Sequence, residues 1–391
     1  MMVSIIIPVY NVAPYIEDCL QSVMRQTYQG DMECLLVDDC GTDDSIAIAE
    51  RFITCTKDER RRTKDEGRGT RDEGRRTKDE GPETKDEGRR TKDEGRRTKD
   101  GKGGRIRFRT LHHERNRGLS AARNTGMEAA VGDYVYFLDS DDEITDDCIS
   151  LLMAEAEKHP EVEMVQGKEL SLPIRYSDSM TVKVKQRVTE AMTNDEVRRC
   201  FFELDQMKIM AWNKLLKRKF LVEHDISFEE GVLFEDIPWS FQLLKYLERV
   251  RFVESVTYLF KRREGSIQTG TSERVKLESL LRDYHQVLTE LTPGREREEI
   301  GYYGKEAARL CVRYARMMPK WREDIKAWQE KARESHCGIG LRMRLAACEL
   351  LSWTRYGWRV LAVVNRLEHP RLILVDVSNI LRKLRNKMVR K

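Results

Sequence analysis

The chain has 391 residues, room for one large domain or two ordinary ones, with 40% apolar and 35% charged side chains. Its 71 Lys+Arg exceed its 67 Asp+Glu by four, and residues 56–104, with 18 basic and 14 acidic side chains, hold that whole excess. The other 53 of each sign cancel, so the mildly basic balance is no argument for nucleic-acid binding by the folded part, and none is expected.

Met1-Met2-Val3-Ser4 runs into an apolar strand without a basic region or cleavage site, which argues against a secretory signal. The nine cysteines are scattered, with no CxxC or Cys/His pair at zinc spacing, and read as free thiols of a reducing compartment. No run of about 18 uncharged apolar residues exists; the richest stretch, Leu345 to Val364, is broken by Glu349, Arg355 and Arg359. A cytoplasmic protein without a membrane span is the expectation.

Val3-Ser4-Ile5-Ile6-Ile7-Pro8 is short, β-branched and stopped by proline, the mark of a parallel strand buried on both faces. Asn11 offers an N-cap and Pro14 suits a first turn for a helix through Ile16, Leu20, Val23 and Met24. Cys34-Leu35-Leu36-Val37 predicts a second strand, ending at Asp38-Asp39, and 44–52 a second helix. Strand, helix, strand, helix in this order predicts an α/β fold with a mostly parallel sheet.

From Thr56 seven heptads of the form TKDEGRR follow. None carries an apolar residue for a coiled-coil seam, and with nothing to bury they cannot offset the entropy of ordering. A disordered insertion over 54–104 is expected, with a charged tether as the other reading. Strand 106–111, helix 119–130 and strand Tyr134 to Leu138 then resume the α/β pattern. Residues 150–160 read as a helix, 162–190 as β-like stretches, and the chain from about 274 as mainly helical. The last 53 residues hold 12 Lys+Arg against 3 Asp+Glu, with Trp353, Tyr356 and Trp358 among aliphatics. They fit either basic amphipathic helices on the inner face of an anionic membrane or a helical subdomain with inward aromatics.

Phe137-Leu138-Asp139-Ser140-Asp141-Asp142 ends a buried strand in three carboxylates. Positions i and i+2 of an extended chain project to one side, so Asp139 and Asp141 can meet one ligand. Packed carboxylates repel unless a cation neutralises them, and a hard divalent ion, Mg2+ or Mn2+, bridging to a diphosphate would do so. By itself the motif fits an acidic helix cap equally well. However, three further strands end in Pro8-Val9-Tyr10-Asn11, in Asp38-Asp39 and just before Asn116, and ligands of doubly wound sheets bind beyond such strand ends.

The stretches SIIIPVYN, LLVDDCGTDDS, NRGLSAARNTG, GDYVYFLDSDD, WNKLLKR, FEDIPW and RREGSI, in this order, closely resemble family 2 glycosyltransferases of the GT-A fold, an α/β Rossmann-like fold. The resemblance covers roughly 1–53 and 105–270. It implies a catalytic domain over 1–270, interrupted at 54–104, and a mainly helical C-terminal extension over 271–391. It further implies that Pro8, Val9, Tyr10, Asn11, Asp38, Asp39, Arg123 and Asp139 bind the donor nucleotide, Asp39 through the base and Asp139 near ribose and sugar. Asp141, with Asp139, would hold Mg2+ or Mn2+, and Asp142, Trp212 and Asn213 would lie near the sugar or acceptor. Asp236 of the Glu235-Asp236 pair would take the proton from the acceptor hydroxyl, and Pro238 suits the first turn of the helix it opens.

The implied reaction is an inverting displacement from a nucleotide-sugar donor, UDP-linked, onto a glycan or lipid-linked acceptor in bacterial surface polysaccharide synthesis. No QxxRW sequence is present, which fits a non-processive enzyme. The turn after the paired aspartates reads Cys40-Gly41-Thr42-Asp43 where the family has Gly-Ser-Thr-Asp. A nucleotidyltransferase is the rival enzyme, but Pro8-Val9-Tyr10-Asn11 is not a glycine-rich phosphate loop; a degenerate sugar-nucleotide-binding scaffold is the rival non-enzyme.

Overall fold

The computed structural model describes residues 1–55, 96–97, 105–172, 188–204, 206–263, 271–292, 296–313 and 321–337, with positions 341, 342, 345 and 348. Within the 54–104 segment expected to be disordered, 54–55 end a helix and Arg96–Arg97 pair as a strand with the start of the strand at 105–112, because extended backbone beside a sheet edge finds hydrogen-bond partners there. The rest of the heptads, most of the β-like stretch before 190, the Gly265-Ser266-Ile267 element and the basic C-terminal segment lie outside the described residues. The chain divides into two compact units, Met1–Gly231 with Gln242–Arg262, and Val232–Phe241 with Arg263–Lys391.

The first unit is built on one sheet. Its strands are β1 (Val3–Val9), β2 (Met32–Asp38), β3 (Arg96–Arg97), β4 (Arg105–His112), β5 (Tyr134–Phe137), β6 (Glu143–Ile144), β7 (Met164–Leu172), β8 (Glu190–Ala191), β9 (Lys214–Lys217) and β10 (Val250–Lys261). They lie in the order β3-β4-β2-β1-β5-β9-β7-β10-β6, with β8 paired to β10. β4, β2, β1 and β5 are mutually parallel, while β9 runs antiparallel to both β5 and β7. Every residue of β1 is buried, which is why Val3 to Val9 reads as a continuous apolar run instead of an alternation.

The helices of this unit are α1 (Ile16–Met24), α2 (45–55), α3 (Leu119–Ala129), α4 (Cys148–Lys158), α5 (Asn194–Phe202) and α6 (Arg218–Glu223); α7 (Asp236–Tyr246) crosses the boundary between the units. Side chains of β1, α1 and α4, among them Ile5, Ile7, Ile16, Leu20, Ile149 and Leu152, form the core on one face. On the other face α3 packs so tightly that a Cβ on Gly126 would stand 2.4 Å from Ile6 Cγ2. Asn11 does not cap α1. Its φ of 51° turns the chain, and its Oδ1 accepts the Thr42 N–H at 2.7 Å, tying the end of β1 to the turn after β2.

The second unit contains α8 (Glu273–Glu290), α9 (Arg297–Arg313) and α10 (Arg322–Glu334). Ser272 caps α8 by accepting the Val275 N–H. The Lys331 ammonium donates to the terminal carbonyls of Thr289 at 3.1 Å and Leu291 at 2.6 Å, so α10 satisfies the end of α8. Among the described residues no helix is long and apolar enough to cross a membrane.

The described residues stop at the end of α2 and, apart from β3, which pairs with the start of β4, resume at Arg105, where Ile106 pairs with Met32 at the start of β2. That end of the sheet is opposite the strand C-termini. Replacing 56–104 by a short Gly/Ser linker is therefore expected to leave nucleotide binding, read by calorimetry, within about twofold of the parent, since a shorter loop changes closure entropy only slightly. Gly126→Ala should destabilise the chain by about 1–3 kcal/mol through overpacking against Ile6, read as a lower urea midpoint.

Candidate functional site

The geometry of the site follows from β1. Val9 pairs with Asp38, Ile6 pairs with Phe137, and the Asp39 and Leu138 N–H groups donate to the carbonyls of Val9 and Ile6. The segments after β1, β2 and β5 therefore emerge on one edge. Because β1 separates the other two, Asp39 and the carboxylates after β5 stand about two strand spacings apart, roughly 10 Å. Pro8 and Val9 are buried, and Tyr10, 45% exposed, projects from the edge.

Asp139, Asp141 and Asp142 each offer a carboxylate oxygen within 4.8 Å of the others. A turn closed by the Asp142 N–H donating to the Asp139 carbonyl gathers them. The three are not equivalent. The Arg123 guanidinium, itself buried, donates to Asp139 Oδ1 at 2.8 Å and lies 5.1 Å from the Phe228 ring centroid. Asp142 is buried and accepts the Tyr258 hydroxyl and the Lys261 N–H, both at 2.7 Å. Burial first, and then the charges of Asp139 and Asp141, push the Asp142 carboxyl up to about 8 against the opposing pull of those two hydrogen bonds. Burial and the charge of Asp142 also raise Tyr258 well above the usual phenol range, so it remains a donor. Asp141 is half-buried between them.

Trp212 lies beneath this turn, stacked on Tyr258 at 4.3 Å and on Phe260 at 5.9 Å between centroids. Asn213, at φ 60°, is buried; its amide donates to the Gly167 carbonyl and accepts the Thr257 and Tyr136 hydroxyls. Both residues thus brace the strand that carries Tyr258. Lys261, a neighbour of the site in the sequence, pairs with Asp18 at 2.9 Å and Glu143 at 2.6 Å.

Asp38 and Asp39 face different surroundings. Asp38 accepts the Cys40 N–H and meets the ring of the exposed His112 at 3.0 Å. Asp39 is buried and accepts the N–H groups of Arg117 and Gly118 at 2.7 and 2.8 Å, so it caps the entry to α3 from another strand. Cys40 occupies φ 55°, a conformation that glycine adopts freely and other residues adopt at a cost of about 1 kcal/mol or more. Its thiol donates to the His113 carbonyl.

Glu235 and Asp236 belong to the second compact unit, with Glu235 buried and Asp236 opening α7. Their carbonyls accept the Trp239 N–H and the Ser240 hydroxyl. The residues brought together at the sheet edge are therefore Pro8 to Asn11, Asp38, Asp39, Arg123 and Asp139 to Asp142, with Trp212 and Asn213 behind them. Tyr258, Phe228 and His113 were not apparent from the sequence. Only His113 had a signal, its place just before Asn116-Arg117-Gly118.

Comparison with known proteins agrees with this geometry. The family described as Glycosyl transferase family 2 matches residues 4–71 and 91–201. The chain is 27% identical over 275 residues to "Uncharacterized glycosyltransferase EpsJ" of Bacillus subtilis, covering 68% of this chain and 62% of that one. With "Glycosyltransferase GlyG" of Streptococcus pneumoniae the identity is 21% over 350 residues, covering 88% and 95%. Among solved structures, S. aureus TarS 1-349 in complex with UDP-GlcNAc superposes with a TM-score of 0.62 at 17% identity, covering 95% of this chain and 92% of that one. A mannosyltransferase from Pyrobaculum calidifontis, in complex with GDP-Man and Mn2+, gives 0.50 at 16% identity, covering 96% and 87%. A mostly parallel GT-A-type sheet, an aspartate cluster at the end of β5 and these sequence matches converge on one family: the chain is a glycosyltransferase belonging to glycosyl transferase family 2.

Proposed function

We propose that this glycosyltransferase moves a hexose from a nucleotide-sugar donor, UDP-linked, to a glycan or lipid-linked acceptor by a metal-assisted, inverting, non-processive displacement in bacterial surface polysaccharide synthesis. The observation that carries the reading is the gathering of Asp139, Asp141 and Asp142 at the end of β5, two strands from Asp39. A nucleoside diphosphate is long enough to reach from a base at Asp39 to a diphosphate at the cluster. In support, two solved structural neighbours hold UDP-GlcNAc and GDP-Man with Mn2+.

The aspartates fit a divalent cation, because three carboxylates crowd together and the Asp142 carboxyl is driven up to about 8 by burial and by its neighbours' charge. Asp141 and Asp139 would hold Mg2+ or Mn2+, which when bound would offset the negative charge of the leaving diphosphate. Arg123 orients Asp139, and Tyr258 and the Lys261 N–H orient Asp142. Tyr10, with Pro8 and Val9, forms the wall for the base, and Asn11 and Asp38 hold the two turns that frame it. Trp212 and Asn213 act by supporting the cluster from behind. To Asp236, on its sequence motif, we assign removal of the acceptor's proton, with Glu235 beside it. A setting at the inner face of the cytoplasmic membrane, reached through the basic C-terminal segment, completes the proposal.

A panel of nucleotide-sugars with Mn2+, read by thermal unfolding, is expected to give stabilisation by one donor class and none without metal; no stabilisation by any donor would sink the donor site. Asp141→Asn should abolish the metal-dependent part. In the metal-free chain a carboxyl raised to about 8 binds a proton that the unfolded chain lacks between about pH 4 and 8, so stability falls as pH rises through that window. A cation held by Asp141 and Asp139 beside Asp142 would favour its ionised form and so compete with that proton, and the shift in Tm on adding Mn2+ should be larger at pH 8.5 than at pH 6. Asp236→Asn should lower kcat by about 100-fold or more with nucleotide binding unchanged; transfer at the parent rate would place the base elsewhere.

A further inference from the structure

His113, the residue after β4, is a buried imidazole with both ring nitrogens engaged. Its Nδ1 lies 2.7 Å from Asp39 Oδ1 and its Nε2 2.9 Å from the Thr125 hydroxyl on α3. A carboxylate only accepts, so Nδ1 carries the hydrogen and donates to Asp39, while Nε2 faces the threonine. The ring is held from the backbone as well, because the His113 N–H donates to the Asp38 carbonyl and the His113 carbonyl accepts the Cys40 thiol.

A carboxylate has about four acceptor sites. On Asp39, Oδ1 takes the His113 ring and the Arg117 N–H, and Oδ2 takes the Gly118 N–H. Among the described residues one acceptor site remains, on Oδ2. Rotation of the carboxylate would move that site, and His113 is the side chain that blocks rotation, the other two donors being backbone N–H groups of one loop. Oδ2 can take one N–H from a ligand and repels a ring nitrogen that presents a lone pair. Uracil and guanine carry a ring N–H on the edge in question; cytosine carries a lone pair there.

We propose that His113 is a positioning residue for nucleobase selection, aiming Asp39 Oδ2 so that the site favours a base with a ring N–H over one without. This rests on the donor-site reading above and deepens it by naming the class of base and the residue that enforces the choice. His113 acts through Asp39 and touches neither donor nor acceptor.

The test uses the full chain with Mn2+ and measures Kd for UDP, GDP and CDP by calorimetry, then kcat and KM for the donor identified. The parent is expected to bind UDP or GDP about tenfold or more tighter than CDP, the scale of one charge-assisted hydrogen bond gained against one lost. His113→Phe, which keeps the ring volume, should weaken the preferred nucleotide about tenfold, leave CDP unchanged and raise KM with kcat preserved. His113→Asn, whose amide can donate in place of Nδ1, should restore most of the preference. Thr125→Val leaves the imidazole in place but lets it turn, and should give a smaller loss in the same direction, which keeps the proposal testable if His113→Phe does not fold. Equal weakening of all three nucleotides would mean a purely structural role and overturn the proposal, as would an unchanged preference in His113→Phe. A parent that binds CDP as tightly as UDP and GDP overturns it and leaves the donor site standing, whereas a parent that binds none of the three overturns both.

Discussion

Strand β1 is hydrogen-bonded along its length to β2 on one side and to β5 on the other, and every one of its residues is buried. A parallel strand in that position has no freedom to slip, because a shift of one residue would turn its apolar side chains into the wrong layer. The ends of β2 and β5 are held in step by it, and with them Asp39 and the Asp139 turn. Everything chemical at this edge depends on that registration, which is supplied by Ile5, Ile6 and Ile7 packing against helices on both faces.

The aspartate cluster shows how a fold concentrates charge without flying apart. Two of its carboxylates are held by different devices. A buried guanidinium pairs with Asp139, and a phenol and a backbone N–H hold Asp142, with Trp212 stacked on that Tyr258 and on Phe260. Burial first, and then the charges of Asp139 and Asp141, raise the Asp142 carboxyl, the kind of perturbation that concentrates at functional sites. Two residues at this edge, Asn11 and Cys40, occupy left-handed backbone conformations at φ 51° and 55°. Their cost is borne by the hydrogen bonds that knit the turns after β1 and β2 together, including Asn11 Oδ1 with Thr42 and Cys40 N–H with Asp38.

The insertion of heptads is tolerated by the same topology. It joins α2 to β4 on the side of the sheet where the strands begin, where buried Glu33 binds the Ser4 hydroxyl at 2.6 Å and the Val131 N–H at 2.8 Å and so closes off that end of the sheet. The neutrality of the remaining residues fits this separation, because the folded part carries its own balanced charge and does not require the repeats to compensate it.

Much of the first unit was readable in the residues themselves. The apolar run of β1, the strands ending in Asp38-Asp39 and Asp139-Ser140-Asp141, and the helices beginning near Ile16 and Leu119 follow from local periodicity, because each short buried strand must end where polarity begins. The resemblance to the family singled out some of those polar ends as candidates. What only the tertiary structure decided is how the side chains divide the work. Arg123 is buried and donates to Asp139, Trp212 and Asn213 brace β10, and Asn11, which looked like a helix cap, pins a turn. The reason is distance along the chain. Tyr258 lies 116 residues from Asp142 and His113 lies 74 from Asp39, separations over which no local pattern operates and only the pairing order of the sheet brings partners together.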